Sequence, residues 1–212
     1  QRIQDQMAKR PALVRSLFRL AVEAGWHRFL RDQGRAGWHP RLLLWPLLRR
    51  RVAAPVLGRL GGRLRTAVSG GAPLPLEVAR TFIGLGLPLL QGYGLTETSP
   101  VIAVNPLKDN VPESVGVPLP GIALRIGADD ELLVKGETVM LGYWNKPAAT
   151  AQVLEPDGWL HTGDQARLSK GHLYITGRIK DILVLSNGEK IPPADMEMAI
   201  ALDPLFEQAL VI

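Results

Sequence analysis

Gln91-Gly-Tyr-Gly-Leu-Thr-Glu-Thr98 is the stretch whose reading decides the fold. Two glycines flank a tyrosine, a hydroxyl and a carboxylate follow, and an apolar run at residues 83–90 stands directly before. An apolar strand running into Gly-Tyr-Gly predicts an exposed backbone turn beside a ring able to stack. Thr96 and Glu97 then fall where a phosphate oxygen and a hard cation can be held. The pattern is that of a grip for a nucleotide and its magnesium.

Working outward from it, residues 65–69 read as a short strand entering the small-residue turn Gly70-Gly-Ala-Pro73. Residues 76–82 read as a helix with Pro75 and Glu77 at its start, and residues 85–90 as the next strand. Strand, helix and strand in succession predict a parallel α/β layer. Further upstream, residues 11–31 form a predicted helix. Pro11 suits its first position, and Leu13, Leu17, Leu20, Ala21 and Ala24 keep helical spacing between Arg15, Arg19 and Arg28. Gly34, Gly37 and Pro40 end it, and Pro46 and Pro55 cut the apolar, basic residues 41–60 into short pieces.

Beyond Pro112 the texture turns β-rich. Gly116, Pro118, Pro120 and Gly121 punctuate predicted strands at residues 122–126, 131–135, 172–176 and 182–185. A helix is expected from near Pro193, with Met196, Ile200 and Leu202 on one side. The expected division is an α/β core with a basic helical leader over residues 1–120, a β-rich subdomain over 121–179, and a hinge with the start of a small α+β domain over 180–212.

Composition narrows the classes. The 212 residues are 46% hydrophobic and 21% charged, a globular balance. The absence of cysteine excludes disulfides, thiolate metal sites and thiol nucleophiles. No run approaches the roughly eighteen apolar residues of a membrane-spanning helix. The polar start lacks a signal-peptide core. With no initiator Met, and with Ala209-Leu-Val-Ile212 at the end, both termini are expected to be cuts in a longer protein.

Residues 1–65 carry 15 basic against 3 acidic residues, a net of +12, whereas residues 66–212 carry 10 against 17, a net of −7. The arginine-rich leader suits an anionic partner: a membrane surface, a nucleotide or a nucleic acid. It equally suits a solvated helix face. The Leu/Trp/Arg mixture of residues 41–60 suits lipid headgroups or acyl chains, but packing against the rest of the protein is favoured, because such stripes are usually core. A nucleic-acid partner is set aside, because the leader lacks the aromatic interleaving of RNA-binding sheets.

Further motifs follow in order, each weak alone. Glu131-Leu-Leu-Val-Lys-Gly136, with Val139-Met-Leu-Gly-Tyr-Trp-Asn-Lys-Pro147 and Thr150, reads as a β-hairpin with an aromatic edge. In Asp157-Gly-Trp-Leu-His-Thr-Gly-Asp164, a carboxylate on a turn between strands can accept two hydrogen bonds from a ribose diol, or cap its own backbone. His161 reads as structural, since no second histidine stands at ligand spacing. Gly177-Arg-Ile-Lys-Asp181 offers Arg178 to ribose or phosphate and Lys180-Asp181 as a hinge.

Taken together, in this order and spacing, these motifs resemble the adenylate-forming superfamily over roughly residues 60–212. Lys180-Asp-Ile-Leu-Val-Leu-Ser-Asn-Gly-Glu-Lys190 is most similar to the long-chain fatty acyl-CoA ligase branch. The resemblance implies activation of a fatty acid by ATP to an acyl adenylate, followed by transfer to coenzyme A. Gly70, Gly71 and Ala72 would line the adenine and Tyr93 stack on it, with Gly92 and Gly94 admitting the backbone. Thr96 would hold the α-phosphate and Glu97 the magnesium. Asp164 would clamp the ribose with Arg178 assisting. Gln91, Leu95 and Ile175 complete the nucleoside contacts. Lys180 would be the hinge, and Lys190 would meet phosphate in the thioester step. Catalytic weight rests on Thr96 and Glu97. The implied cofactors are ATP or AMP, Mg2+ and coenzyme A as co-substrate. The implied setting is cytoplasmic, with peripheral membrane contact through the leader as an option.

Two rivals remain: a ligase that loads a carrier protein, disfavoured by the absence of an insertion between Lys180 and Glu197, and a non-catalytic nucleotide-binding homologue. The family's Ser/Thr/Gly-rich phosphate loop would lie upstream of Gln1 and its C-terminal catalytic lysine beyond Ile212. Asp130 replaces a usual glycine. The chain alone is therefore expected not to release pyrophosphate from ATP with palmitate; turnover matching a full-length relative would refute this.

Overall fold

The computed structural model describes residues 10–181, 183–184, 190–191, 193–200, 203, 206 and 209–211. They form two compact units, Gln1–Leu90 with Pro106–Pro112, and Gln91–Asn105 with Glu113–Ile212. The fold is mixed α/β, as expected.

In the first unit, α1 spans Ala12–Asp32, with Pro11 outside it as the N-cap rather than at its first position. Gly34, at φ 71, closes the helix. Its N–H reaches Arg31 O at 2.9 Å and the N–H of Arg35 reaches Leu30 O at 2.7 Å, a Schellman closure. Ala21 and Ala24 are buried against Trp45, Leu48, Ala53 and Leu85, whereas Leu13 and Leu17 face solvent. From Pro40 the chain stays helical to Gly58: a 3-10 turn at Pro40–Leu44, α2 at Trp45–Leu48, a π-turn at Arg49–Ala53 and α3 at Ala54–Gly58. Pro46 and Pro55 thus mark the starts of short pieces, as expected, without ending the helical path. Each sits in the first turn of its segment, where a missing N–H is tolerated.

Strand β1 (Ala67–Ser69) precedes α4 (Leu76–Gly84). Gly25 of α1 meets the end of α4: a Cβ there would lie 1.8 Å from Gly84 O, and one on Gly84 would lie 2.4 Å from Val22 O. Two glycines thus let the helices touch backbone to backbone. Strand β2 (Leu89–Tyr93) begins later than expected. Residues 85–88 are spent closing α4, where Gly86, at φ 91, donates to Ile83 O and Leu87 to Phe82 O. The segment 106–112 is held to the end of α1. Arg35 donates to Asn110 O (2.7 Å) and Asp109 (2.9 Å), and Gln33 exchanges bonds with Leu107 O and the Asn110 N–H.

In the second unit, the end of β2 pairs antiparallel with β3 (Ala103–Val104), which pairs antiparallel with β4 (Val117–Pro118). From β2 onward the sheet is antiparallel, with short hairpin-like returns between its strands. A second sheet is an antiparallel meander of β5 (Ala123–Ile126), β6 (Glu131–Lys135), β7 (Leu160–Ser169) and β8 (His172–Arg178). Helix α5 (Pro147–Val153) interrupts it between β6 and β7. Ile102, Ala103, Leu132, Val134, Ala166 and Leu173 form the core. Gly116 and Leu173 exchange backbone bonds with each other's neighbourhood and join the sheets. Beyond Lys180 come β9 (Leu183–Val184), β10 (Lys190–Ile191) and α6 (Pro193–Ile200). Ile182, Leu185, Leu202 and residues 186–189, part of the expected strand, hinge turn and helix face, lie outside the described residues.

Replacing Gly25 with Ala should lower stability to urea by about 1–3 kcal/mol, since overpacking outweighs the ~1 kcal/mol gain in helix propensity. Gly37→Ala, where a Cβ meets nothing within 4 Å, should be near neutral. Equal denaturation midpoints would show that the helices separate freely at this crossing.

Candidate nucleotide site

Strand β7 sets the site. The sequence predicts a turn here, because Thr162, Gly163 and Asp164 mask the apolar alternation of a strand. Only Leu160, Asp164 and Ala166 are fully buried along this part of it. The strand bends here: Gly163 has φ 72, and the pairing with β8 slips between Gln165 and Ala166. Thr162 fastens the bend by donating to Leu132 O at 2.7 Å and accepting the Asp164 N–H at 3.1 Å.

Asp164 is 4% exposed. Its Oδ1 accepts from Arg178 Nε at 3.1 Å, across the β7–β8 pair that sets the two residues opposite each other. Its Oδ2 accepts from the Tyr93 hydroxyl at 2.5 Å. Burial, then the bond to Asp164, push the Tyr93 phenol far above its ordinary value, against smaller lowering effects of Thr162 and Arg178. The hydroxyl therefore stays a donor throughout the physiological range. A carboxylate offers about four lone-pair sites. Two serve the protein, and two suit a vicinal diol. Arg178, with its side chain 65% exposed, is the part of this cover that solvent reaches.

Tyr93 is not the free ring on an exposed turn that its glycines predict. Gln91, Gly92 and Tyr93 lie within β2; Gln91 is buried and Tyr93 half-buried. Gly94 is required by packing, since a Cβ would come within 1.7 Å of Pro100 O. Leu95 and Ile175 are half-buried on the core. Thr96, Glu97 and Thr98 form a 3-10 turn. Buried Thr98 locks it, accepting the Leu95 N–H at 3.0 Å, while the Thr96 side chain is exposed. Glu97 accepts from the Tyr143 hydroxyl at 2.8 Å. Hydrogen bonding to Glu97 raises the Tyr143 pKa.

No local pattern marks Tyr143, whose partner lies 46 positions away. The expected hairpin at residues 131–147 is absent: β6 ends at Lys135 and turns lead to α5. Pro147 in the first turn of α5 and Gly142, at φ 148, were the signals against a second strand.

Glu131 and His161 buttress the bend. His161 Nδ1 donates to Glu131 at 2.7 Å and Nε2 to Glu155 at 3.0 Å. Glu131 also accepts the Gly163 N–H at 3.1 Å, and Arg125 donates to Glu155. The hydrogen bond to Glu131 raises the His161 pKa above its ordinary 6.5, against burial. The structural role expected for His161 is what its partners define. Asp130 adopts φ 58, the left-handed conformation that Asp tolerates and glycine prefers.

Gly70, Gly71 and Ala72 follow β1 on the surface of the first unit. Lys180 is exposed in a 3-10 turn between β8 and β9, and Lys190 pairs with Val184 across β10 and β9. No cluster of three or more His, Asp or Glu residues capable of holding a metal occurs among the described residues. The donors at Glu97 and Thr96 are oxygens alone, with one carboxylate. That set fits magnesium, which is held by one or two carboxylates together with substrate phosphates.

The fold is that of the adenylate-forming enzymes. O-succinylbenzoate coenzyme A synthetase of Bacillus subtilis, solved with its acyl-adenylate intermediate, gives a TM-score of 0.64 at 29% identity, covering 74% of this chain and 36% of that one. The same enzyme with ATP and magnesium gives 0.60 at 30%, covering 71% and 35%. The chain belongs to the AMP-binding enzyme family, which it matches over residues 9–144. A long-chain-fatty-acid–CoA ligase of Mycobacterium bovis is 44% identical over 154 residues, 72% of this chain and 26% of that protein. A chloroplastic long-chain-fatty-acid–[acyl-carrier-protein] ligase of Arabidopsis thaliana is 35% identical over 194 residues, 80% of this chain and 27% of that protein. The chain thus spans about a quarter of the length of the curated relatives it matches.

Because its folded pKa is raised, protonated His161 stabilises fully below pH 6.5 and loses that contribution as pH rises through the folded value. His161→Gln should cost about 1 kcal/mol at pH 6, allowing for partial exposure, and progressively less at higher pH. Thermal melts of both proteins from pH 5.5 to 9 measure this; a pH-independent gap would refute it.

Proposed function

We propose that this chain carries the nucleotide-gripping part of an AMP-forming ligase that activates a long-chain fatty acid and passes it to coenzyme A. The observation that carries the reading is Asp164, a buried carboxylate bridged by Tyr93 and Arg178 with two acceptor sites to spare. A structural ion pair alone does not require a tyrosine on the second oxygen. A ribose clamp benefits from it, because the bond fixes the carboxylate before the ligand arrives.

In the proposed reaction, a fatty-acid carboxylate oxygen bonds to the α-phosphorus of ATP as the bond to pyrophosphate breaks. The acyl adenylate then yields AMP when the thiol of coenzyme A attacks its carbonyl carbon and the thiol proton leaves to solvent. The attacking carboxylate is already ionised at neutral pH, so positioning rather than a general base is needed. Asp164 and Arg178 orient the ribose. Tyr93 holds Asp164 in register, and its ring wall lies beside the nucleoside. The Thr96 hydroxyl donates to an α-phosphate oxygen, where negative charge gathers. Glu97 would bind magnesium, which supplies neutralisation of phosphate charge. Lys180, exposed between two strands, is the hinge at which the following segment changes orientation. Gly70, Gly71 and Ala72 are assigned to the adenine wall, and Lys190 to phosphate in the second step.

Long-chain substrates are favoured by similarity to the mycobacterial ligase. Similarity to the plant acyl-carrier-protein ligase supports a second reading, in which the acceptor thiol belongs to a carrier protein. Supplying coenzyme A or a phosphopantetheinylated carrier to preformed acyl adenylate separates the two. The arginine-rich leader remains a proposed contact with an anionic membrane surface.

Asp164→Asn in the whole protein should raise KM for ATP about 10- to 100-fold, the worth of charge-assisted hydrogen bonds. KM for the fatty acid should change little. Pyrophosphate release over an ATP titration is the measurement, and an unchanged KM for ATP would overturn the ribose assignment.

A further inference from the structure

The residues from Val139 to Thr150 form a support around Glu97. Met140 N–H donates to Glu97 O at 2.8 Å, and the Tyr143 hydroxyl donates to Glu97 Oε1 at 2.8 Å. One loop therefore holds both the main chain and the carboxylate of the same residue. Tyr143 is itself fixed. Its N–H donates to Thr150 Oγ1 at 2.9 Å, and its carbonyl accepts the Lys146 N–H at 3.1 Å. Thr150 donates its own hydroxyl to Lys146 O at 3.0 Å. Gly142 makes this closeness possible, since a Cβ there would lie 2.9 Å from Thr150 Cγ2. Glu97 Oε2 takes no hydrogen bond or ion pair among the described residues.

We propose that Tyr143 is a positioning residue that makes Glu97 a one-oxygen ligand and thereby sets the choice of divalent cation. This rests on the reading of Glu97 as the magnesium ligand. With one lone pair of Oε1 taken by the hydroxyl, Oε2 is the oxygen with both lone pairs open to a cation, so a contact through that one oxygen is favoured over a two-oxygen contact. Magnesium, with strict octahedral geometry, accepts a carboxylate through one oxygen; calcium, with six to eight ligands, readily takes both. A tyrosine on one oxygen thus favours the smaller ion. It also orients the carboxylate without adding charge to the site.

The test is Tyr143→Phe in the whole protein, with Mn2+ as the spectroscopic stand-in for magnesium and a non-hydrolysable ATP analogue present. Electron paramagnetic resonance reads bound Mn2+ directly, and Ca2+ is titrated as competitor. The variant should bind Mn2+ about tenfold more weakly, as loss of a group orienting a metal ligand commonly does. Ca2+ should displace the ion at a lower ratio than in the wild type. Metal-free AMP binding and the melting temperature should stay at wild-type values, which a merely structural role for the hydroxyl would not predict. Glu97→Gln serves as the reference for loss of the ligand. If the wild type holds Mn2+, Glu97→Gln loses it and Tyr143→Phe matches the wild type in both titrations, the proposal alone is overturned. If the wild type shows no saturable Mn2+ site, or Glu97→Gln retains it, the metal reading of Glu97 fails and the proposal fails with it.

Discussion

A carboxylate cannot be withdrawn from water without partners, and the second unit is arranged around supplying them to Asp164. Removing an ion of this size from water costs roughly several kcal/mol unless hydrogen bonds and an opposite charge replace the lost hydration. Arg178 comes from the neighbouring strand and Tyr93 from β2, so one buried group ties together segments 71 and 14 positions away. The bend at Gly163 aims the carboxylate at both partners. Glu131 holds that bend through a backbone N–H, and His161 holds Glu131. Each shell exists because the one inside it needs orientation. The same logic recurs at Glu97, where a tyrosine again engages a carboxylate through its hydroxyl.

What could be read from sequence followed from local chemistry. Helix α1 was legible because small apolar residues recur on one face and Gly34 stops it; β6 was legible because Leu132, Leu133 and Val134 form an apolar run. The start of β2 was misread because Leu85 and Leu87 look strand-like. Gly86 claims them for the closing turn of α4, a preference carried by one glycine rather than by hydrophobicity. β7 was misread because its inward side carries polar groups with distant partners. Thr162, Asp164 and the Gly163 N–H are satisfied by Leu132, Tyr93, Arg178 and Glu131, and no local pattern announces pairings over such separations. The chemistry-bearing residues were nonetheless visible by type and spacing, whereas Tyr143, whose role depends wholly on what it touches, was not.

The arginine-rich leader acquires a partly local explanation. Arg28 pairs with Asp32 and lies over Trp45, Arg41 pairs with Glu23, and Arg35 binds Asp109 and Asn110 O. These arginines consume the scarce acidic groups around them. Arg49, Arg50 and Arg51 stay exposed on the π-turn, and Arg15 and Arg19 stay exposed on α1, so the surplus positive charge is carried by both.

The segment 106–112 has a consequence for how the first unit comes into being. Its bonds to Gln33 and Arg35 close loops of 74 to 77 residues. Entropy makes contacts of that span slow to form, although each doubling of loop length adds only about 0.6 kcal/mol. During synthesis, α1 emerges long before the residues that pin its C-terminal end, and β2 and β3 are made in between. The first unit is therefore finished by chain that leaves the ribosome after the second has begun, so the two mature together rather than one after the other.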